Sequence, residues 1–248
     1  MAQEGIYKNP ILLNQEVHKT VKVAPVTDFN FARGLNSVLL TGYEFLEASK
    51  HYPIVFVTGR NEDIVPLAIL GLRMQTNLFL DDAGKWKEGT YIPAFIRRYP
   101  FILAESDASG ENFAVSVDAA YEGFDAEEGM SLFDEAGNPA DSLNKAMEFL
   151  KQFQMQNLYT REFVNKLTEY NLFKDIATDI TIPAGEKLEL RGMKMVNEKA
   201  LLGLDDAKAL DLFRKGFVAW IYGHLFSLSN FRALGAAEAK RTAAGQTA

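Results

Sequence analysis

Three arginines stand among aromatic side chains in one stretch of the chain. They are Arg73, then Arg97 and Arg98 in the run Tyr91–Tyr99 (YIPAFIRRY), with Trp86, Tyr91, Phe95 and Tyr99 close by in sequence. A guanidinium binds carboxylate or phosphate through paired N–H groups and stacks on aromatic rings, so the grouping has the chemistry of an anion or peptide-terminus pocket. The plainer reading, which is preferred, uses the same arginines to lock the fold through Glu44, Asp81, Asp82 or Glu88. The candidate ligand- or partner-binding residues are Arg73, Trp86, Tyr91, Arg97, Arg98 and Tyr99, with His224 added from the C-terminal half.

Other groupings carry less chemistry. His224 and Ser227 are three apart, so a helix places them on one face, but a nucleophilic pair needs a third group and an oxyanion site. The chain has no G-x-S-x-G elbow, and a core histidine with both nitrogens satisfied is the preferred reading. Asp81 and Asp82 begin the turn DDAG and are read as making local backbone bonds. The glycines match neither G-x-G-x-x-G nor a phosphate loop. No catalytic residue, metal ligand or cofactor is assigned.

Composition closes further classes. Among 248 residues there is no cysteine, which excludes disulfides, zinc-thiolate sites, iron-sulfur clusters and a cysteine nucleophile. Three scattered histidines argue against a His-rich metal site, and a net charge of −7 argues against a dominant nucleic-acid surface. The N-terminus lacks a basic region followed by an apolar one, and the uncharged run after Lys215 is too short to span a bilayer, for which about 20 residues are needed. A cytoplasmic protein without integral membrane segments is expected.

The elements that would position these residues follow from pattern. Residues 18–118 read as β-rich: a half-exposed strand at His18–Val26, a buried one at Pro53–Thr58, extended runs at Ile64–Arg73 and Asn77–Leu80, and a hairpin around Ser106–Gly110. Between them lie a short helix over Thr41–Lys50 and a helical turn from Pro93, ended by Pro100. Residues 119–140 are acidic, turn-rich and read as a surface connector. Residues 141–235 read as mainly helical, with one helix capped at Asp141 or Ser142, another capped at Thr160, and a last long stripe from Asp205 or Asp206 through Leu234. Ile176–Ile182 and Leu188–Met195 look extended, about a turn at Pro183–Gly185. The tail 236–248 is expected to fray. The sum is one α+β domain over 1–248, a mainly antiparallel sheet from the N-terminal half covered by helices from the C-terminal half.

Several of these runs together resemble a known family. His51–Phe56 (HYPIVF), Gly71–Arg73 (GLR), Asn77–Phe79 (NLF), Trp86 and Gly89–Phe101 (GTYIPAFIRRYPF), with Ile221–Leu234 (IYGHLFSLSNFRAL), are similar to the bacterial SapC-like proteins. The peptide-transporter permeases that share the name are a different group. The resemblance covers most of residues 5–235 and implies an association with surface-layer protein export, without any assigned reaction or site residue.

Two functions are carried forward. The first is a non-enzymatic cytosolic binding or accessory protein, assisting export or assembly of surface proteins and contacting a protein partner through Trp86–Tyr99. The alternative is an enzyme or sensor for a small anionic or amino-acid-like ligand, with Arg73, Arg97 or Arg98 as clamp and His224 as proton carrier. It requires those residues to converge. A homodimer fits the helical stripes as well as a monomer does.

Overall fold

The run of β-branched residues at Ile54–Thr58 forms the middle strand of the main sheet, with Ile54, Val55 and Phe56 fully buried. The protein, a computed structural model, is described over residues 6–59, 62–105, 113–176, 178–181 and 187–245. The main sheet has five strands in the order Ser37–Leu39, Ile64–Ile69, Ile54–Thr58, Met193–Val196 and Phe173–Asp175, with every neighbouring pair antiparallel. A second sheet pairs Pro10–Leu12 and Phe101–Glu105 on either side of Phe113–Asp118. The fold is α+β, as the sequence pattern predicts. Two strands of the main sheet nevertheless come from the C-terminal half.

Helices cover this framework. Phe217–Ser227 lies on the strands Ile54–Thr58 and Met193–Val196, and the helix Asp141–Glu169 runs past the second sheet. Where they meet, Phe45, Phe56, Phe163, Phe217 and Trp220 form a knot of aromatic rings with centroids 5.1–6.3 Å apart. Each buried ring of this kind contributes about 1.5–3 kcal/mol by leaving water, with more from edge-to-face contact. A smaller cluster holds Val21, Val23, Val115, Leu132, Leu143 and Leu150.

Several elements depart from the predicted pattern for identifiable reasons. Asp141–Glu169 is one helix of 29 residues. Thr160 does not cap a second one: its hydroxyl donates to the Gln156 carbonyl one turn back and accepts from Gly42 N–H, which keeps a polar residue inside a helix. The last stripe is broken into Asp206–Arg214 and Phe217–Ser227 because Gly216 takes φ +73°, a left-handed conformation that suits glycine. The helix Asn230–Gly245 continues into the tail expected to fray from 236, and its buried Glu238 pins it to Arg73 at 2.7 Å while also bonding Arg241 within the same helix at 2.7 Å. The acidic connector carries a strand, Met130–Ser131, paired with Lys22–Val23, and buries Leu132 and Phe133. Asn77–Leu80 is a turn with a single bridge from Leu80 to Trp86 rather than a strand. The predicted turns at Ser106–Gly110 and Pro183–Gly185 lie outside the described residues.

Candidate functional site

The segment from Tyr91 to Phe101 is a wall held from behind by two buried carboxylates. Glu44 is 4% exposed, and Thr41 and Glu44 cap their turn reciprocally. Its Oε1 also accepts from the Ala94 N–H at 2.6 Å and the Tyr91 hydroxyl at 3.0 Å. Burial, followed by the Glu44 charge, pushes the Tyr91 hydroxyl up to about 12. Asp118 is fully buried and accepts from the backbone N–H groups of Lys8, Asn9 and Ala120 and from the Tyr99 hydroxyl. Burial alone would raise its carboxyl; those four donors outweigh burial and hold it below the usual range. Burial also raises the Tyr99 hydroxyl. Trp86 stands further back, its Nε1 donating to the Tyr52 hydroxyl, which in turn donates to the Tyr91 carbonyl.

The two adjacent arginines have different duties. Arg97 is exposed but tied: Nε donates to the Ile92 carbonyl and Nη2 to the Tyr91 hydroxyl, both at 3.0 Å, and the guanidinium lies over the Tyr91 and Phe149 rings. Arg98 turns inward. Its guanidinium carbon lies 4.1 Å from the Phe95 ring centre, 5.4 Å from Phe153 and 5.7 Å from Tyr7. Among the described residues its Nε is the one buried side-chain polar atom without a hydrogen-bond partner. Burial lowers its pKa, with Tyr7 acting in the opposite direction. No carboxylate of the described residues forms an ion pair with either arginine.

In front of this wall is a cavity of about 390 Å³, at the low end of the size range of small-molecule sites. Pro25, Val26 and Phe29 form one side, Arg97–Phe101 another, and Phe149 and Leu150 of the long helix a third. Ser142 and Lys145 lie toward the start of that helix, Lys145 paired with Asp141 at 2.6 Å on an exposed surface. The charged lining residues are Arg97, Arg98 and Lys145, all cationic. A smaller hollow of about 240 Å³ shares Arg97 and Phe149 with it.

Of the seven candidates, Arg97, Arg98 and Tyr99 line the cavity and Tyr91 braces it. Three do not join them. Arg73 bonds Glu238. Trp86 is 8% exposed, so together with Tyr99 at 7% it offers no exposed aromatic patch. His224 is fully buried: Nδ1 donates to the Ile54 carbonyl at 2.8 Å and Nε2 accepts from Val196 N–H at 3.1 Å. Ser227 Oγ accepts from Ile54 N–H and donates to the His224 carbonyl. The pair stitches a helix to two strands, as the core-histidine reading holds, and a proton carrier at position 224 is not supported. Asp81 accepts from Lys85 N–H inside its turn, again a local bond.

Sequence reasoning missed Glu44, Asp118 and the helix-borne part of the lining. Thr41-x-x-Glu44 is a capping-box pattern and was open to recognition. Nothing local marks Asp118, two of whose four donors lie about 110 positions away.

Among the described residues, no group of three or more His, Asp or Glu side chains is arranged to hold a metal ion, and no helix is long and apolar enough to cross a membrane. The family model described as SapC matches residues 13–234. No match is found among curated proteins or solved structures.

Proposed function

The chain belongs to the SapC family, and we propose that it is a non-enzymatic binding protein that holds a small, largely apolar molecule in the cavity before the Tyr91–Phe101 wall. The carrying observation is the cavity itself: an apolar hollow of about 390 Å³ with a few convergent polar groups, on a wall fixed by buried carboxylates. The buried polar groups that chemistry would need are otherwise engaged. Glu44, Asp118, His224 and Ser227 direct their hydrogen bonds mainly at backbone groups that hold elements together. Titration with N-phenyl-1-naphthylamine, a neutral apolar fluorophore, tests the reading. Wild-type protein should give a saturable rise in emission. Ala146→Trp, which fills the cavity from a helical position, should abolish it with an unchanged circular-dichroism spectrum. No saturable binding, or equal binding by the variant, would overturn the proposal.

A second reading, an accessory protein that docks another protein in export or assembly of surface proteins, draws on a different face. Tyr43, Met155 and Leu158, 54–69% exposed, line one open hollow along the long helix, where Tyr43 meets Tyr159 at 5.9 Å. Large exposed apolar side chains grouped in this way are common at interfaces. Met155→Ser with Leu158→Ser should then abolish capture of a protein partner while leaving fluorophore binding unchanged; retained capture would exclude this face.

A further inference from the structure

We infer that the ligand of this cavity carries a carboxylate head on its apolar body, and that Arg98 is the residue that reads the charge. The inference rests on the cavity being a binding site and adds what enters it. Its first support is the sign of the lining. The chain has 33 acidic and 26 basic residues, yet the charged side chains around the cavity are Arg97, Arg98 and Lys145. Asp141 meets Lys145 from the solvent side, and Arg97 is committed to the Ile92 carbonyl and the Tyr91 hydroxyl. Arg98 is thereby left as the inward cation.

The second support is the state of Arg98. A guanidinium inside an apolar site is costly unless its charge is neutralised and its N–H groups find acceptors. Here Nε has no acceptor, and no carboxylate of the described residues pairs with the group. Its aromatic neighbours help to support the cation, with Phe95 nearest at 4.1 Å. Such contacts leave the in-plane edge, where Nε and Nη form the fork that matches a carboxylate with two parallel bonds. Nε has no accessible surface in this arrangement, so a turn of the side chain accompanies binding. The apolar remainder of the lining, from Pro25 and Phe29 to Phe149 and Leu150, takes the body of the ligand.

The test is displacement of bound N-phenyl-1-naphthylamine by decanoate and by 1-decanol, two probes alike in their ten-carbon chains and different in charge. On wild-type protein, decanoate should displace the fluorophore at a concentration at least about tenfold lower than decanol, the size expected of a charge-assisted bond. Arg98→Met keeps the length of the side chain without its charge. It should remove that advantage, shifting decanoate about tenfold and decanol little. Equal potency of the two probes on wild-type protein would overturn the inference while leaving the cavity a binding site, and this arm needs no variant to fold. A variant that keeps the tenfold preference for decanoate would likewise remove Arg98 from the role. Absence of fluorophore binding would instead defeat the cavity reading on which the inference rests.

Discussion

Acidification should destabilise this protein through His224 well before its carboxylates titrate. In the folded chain the ring is neutral, with Nδ1–H bonded to the Ile54 carbonyl and Nε2 accepting from the Val196 N–H. A proton on Nε2 would face that N–H in a fully buried site, and burial pushes the pKa down to about 4. In the unfolded chain the same ring titrates near about 6.5. The folded state therefore resists a proton that the unfolded state accepts. The stabilisation is complete above about pH 6.5 and is lost progressively as pH falls toward about 4, at about 1.4 kcal/mol per pH unit, or about 2 kcal/mol by pH 5. Asp118 and Glu238, both held below the usual carboxylate range, lose their contributions in a lower window. Urea unfolding at about pH 7, 6 and 5 isolates the effect when wild type is compared with His224→Gln. The variant should be less stable by about 1–3 kcal/mol near neutrality, since one of two backbone groups loses its partner. The gap should close by about 2 kcal/mol at pH 5, because His224 is the one titrating group in which the two proteins differ. A gap that stays constant within about 0.5 kcal/mol would refute the argument.

Two further substitutions probe the wall and the core. At Gly42 an added Cβ would stand 2.2 Å from the Trp220 ring, so Gly42→Ala should destabilise by about 2 kcal/mol or more, read as a lowered midpoint in thermal unfolding. Both Glu44 oxygens accept from two donors, so Glu44→Gln necessarily turns an NH₂ toward donors on one side. A loss of about 2 kcal/mol is expected, with weaker fluorophore binding as the wall loosens; unchanged binding would show that the wall does not depend on this carboxylate.

The sequence was most legible where burial is dictated by local pattern. The β-branched run at Ile54–Thr58 and the apolar periodicity of Phe217–Ser227 announce their elements, and the spacing of His224 and Ser227 correctly places both on one helix face. It was least legible where a polar group's role depends on a distant segment. Glu44 reads as an ion-pair partner for the arginines, yet the Ala94 N–H, 50 positions on, makes it a core residue. The aromatics of Trp86–Tyr99 read as an exposed patch, and only the strand pairing and the long helix reveal that most face inward. Adjacent Arg97 and Arg98 are indistinguishable in sequence. Their difference comes from the short helix Ala94–Arg97, which leaves one directed at solvent and the next at Phe95.

The order of strands in the main sheet also bears on how the chain is made. Ile54–Thr58 is bonded on one side to Ile64–Ile69, which follows almost at once, and on the other to Met193–Val196. During synthesis at about 5–20 residues per second, about six to twenty-six seconds separate the emergence of the two partners from the ribosome. Throughout that interval the most apolar strand of the nascent protein presents an unpaired edge, the geometry that recruits other chains. The helix that covers both strands, Phe217–Ser227, emerges later still. Production of this protein should consequently be limited by what shields that edge in the cell, and slower translation would lengthen its exposure.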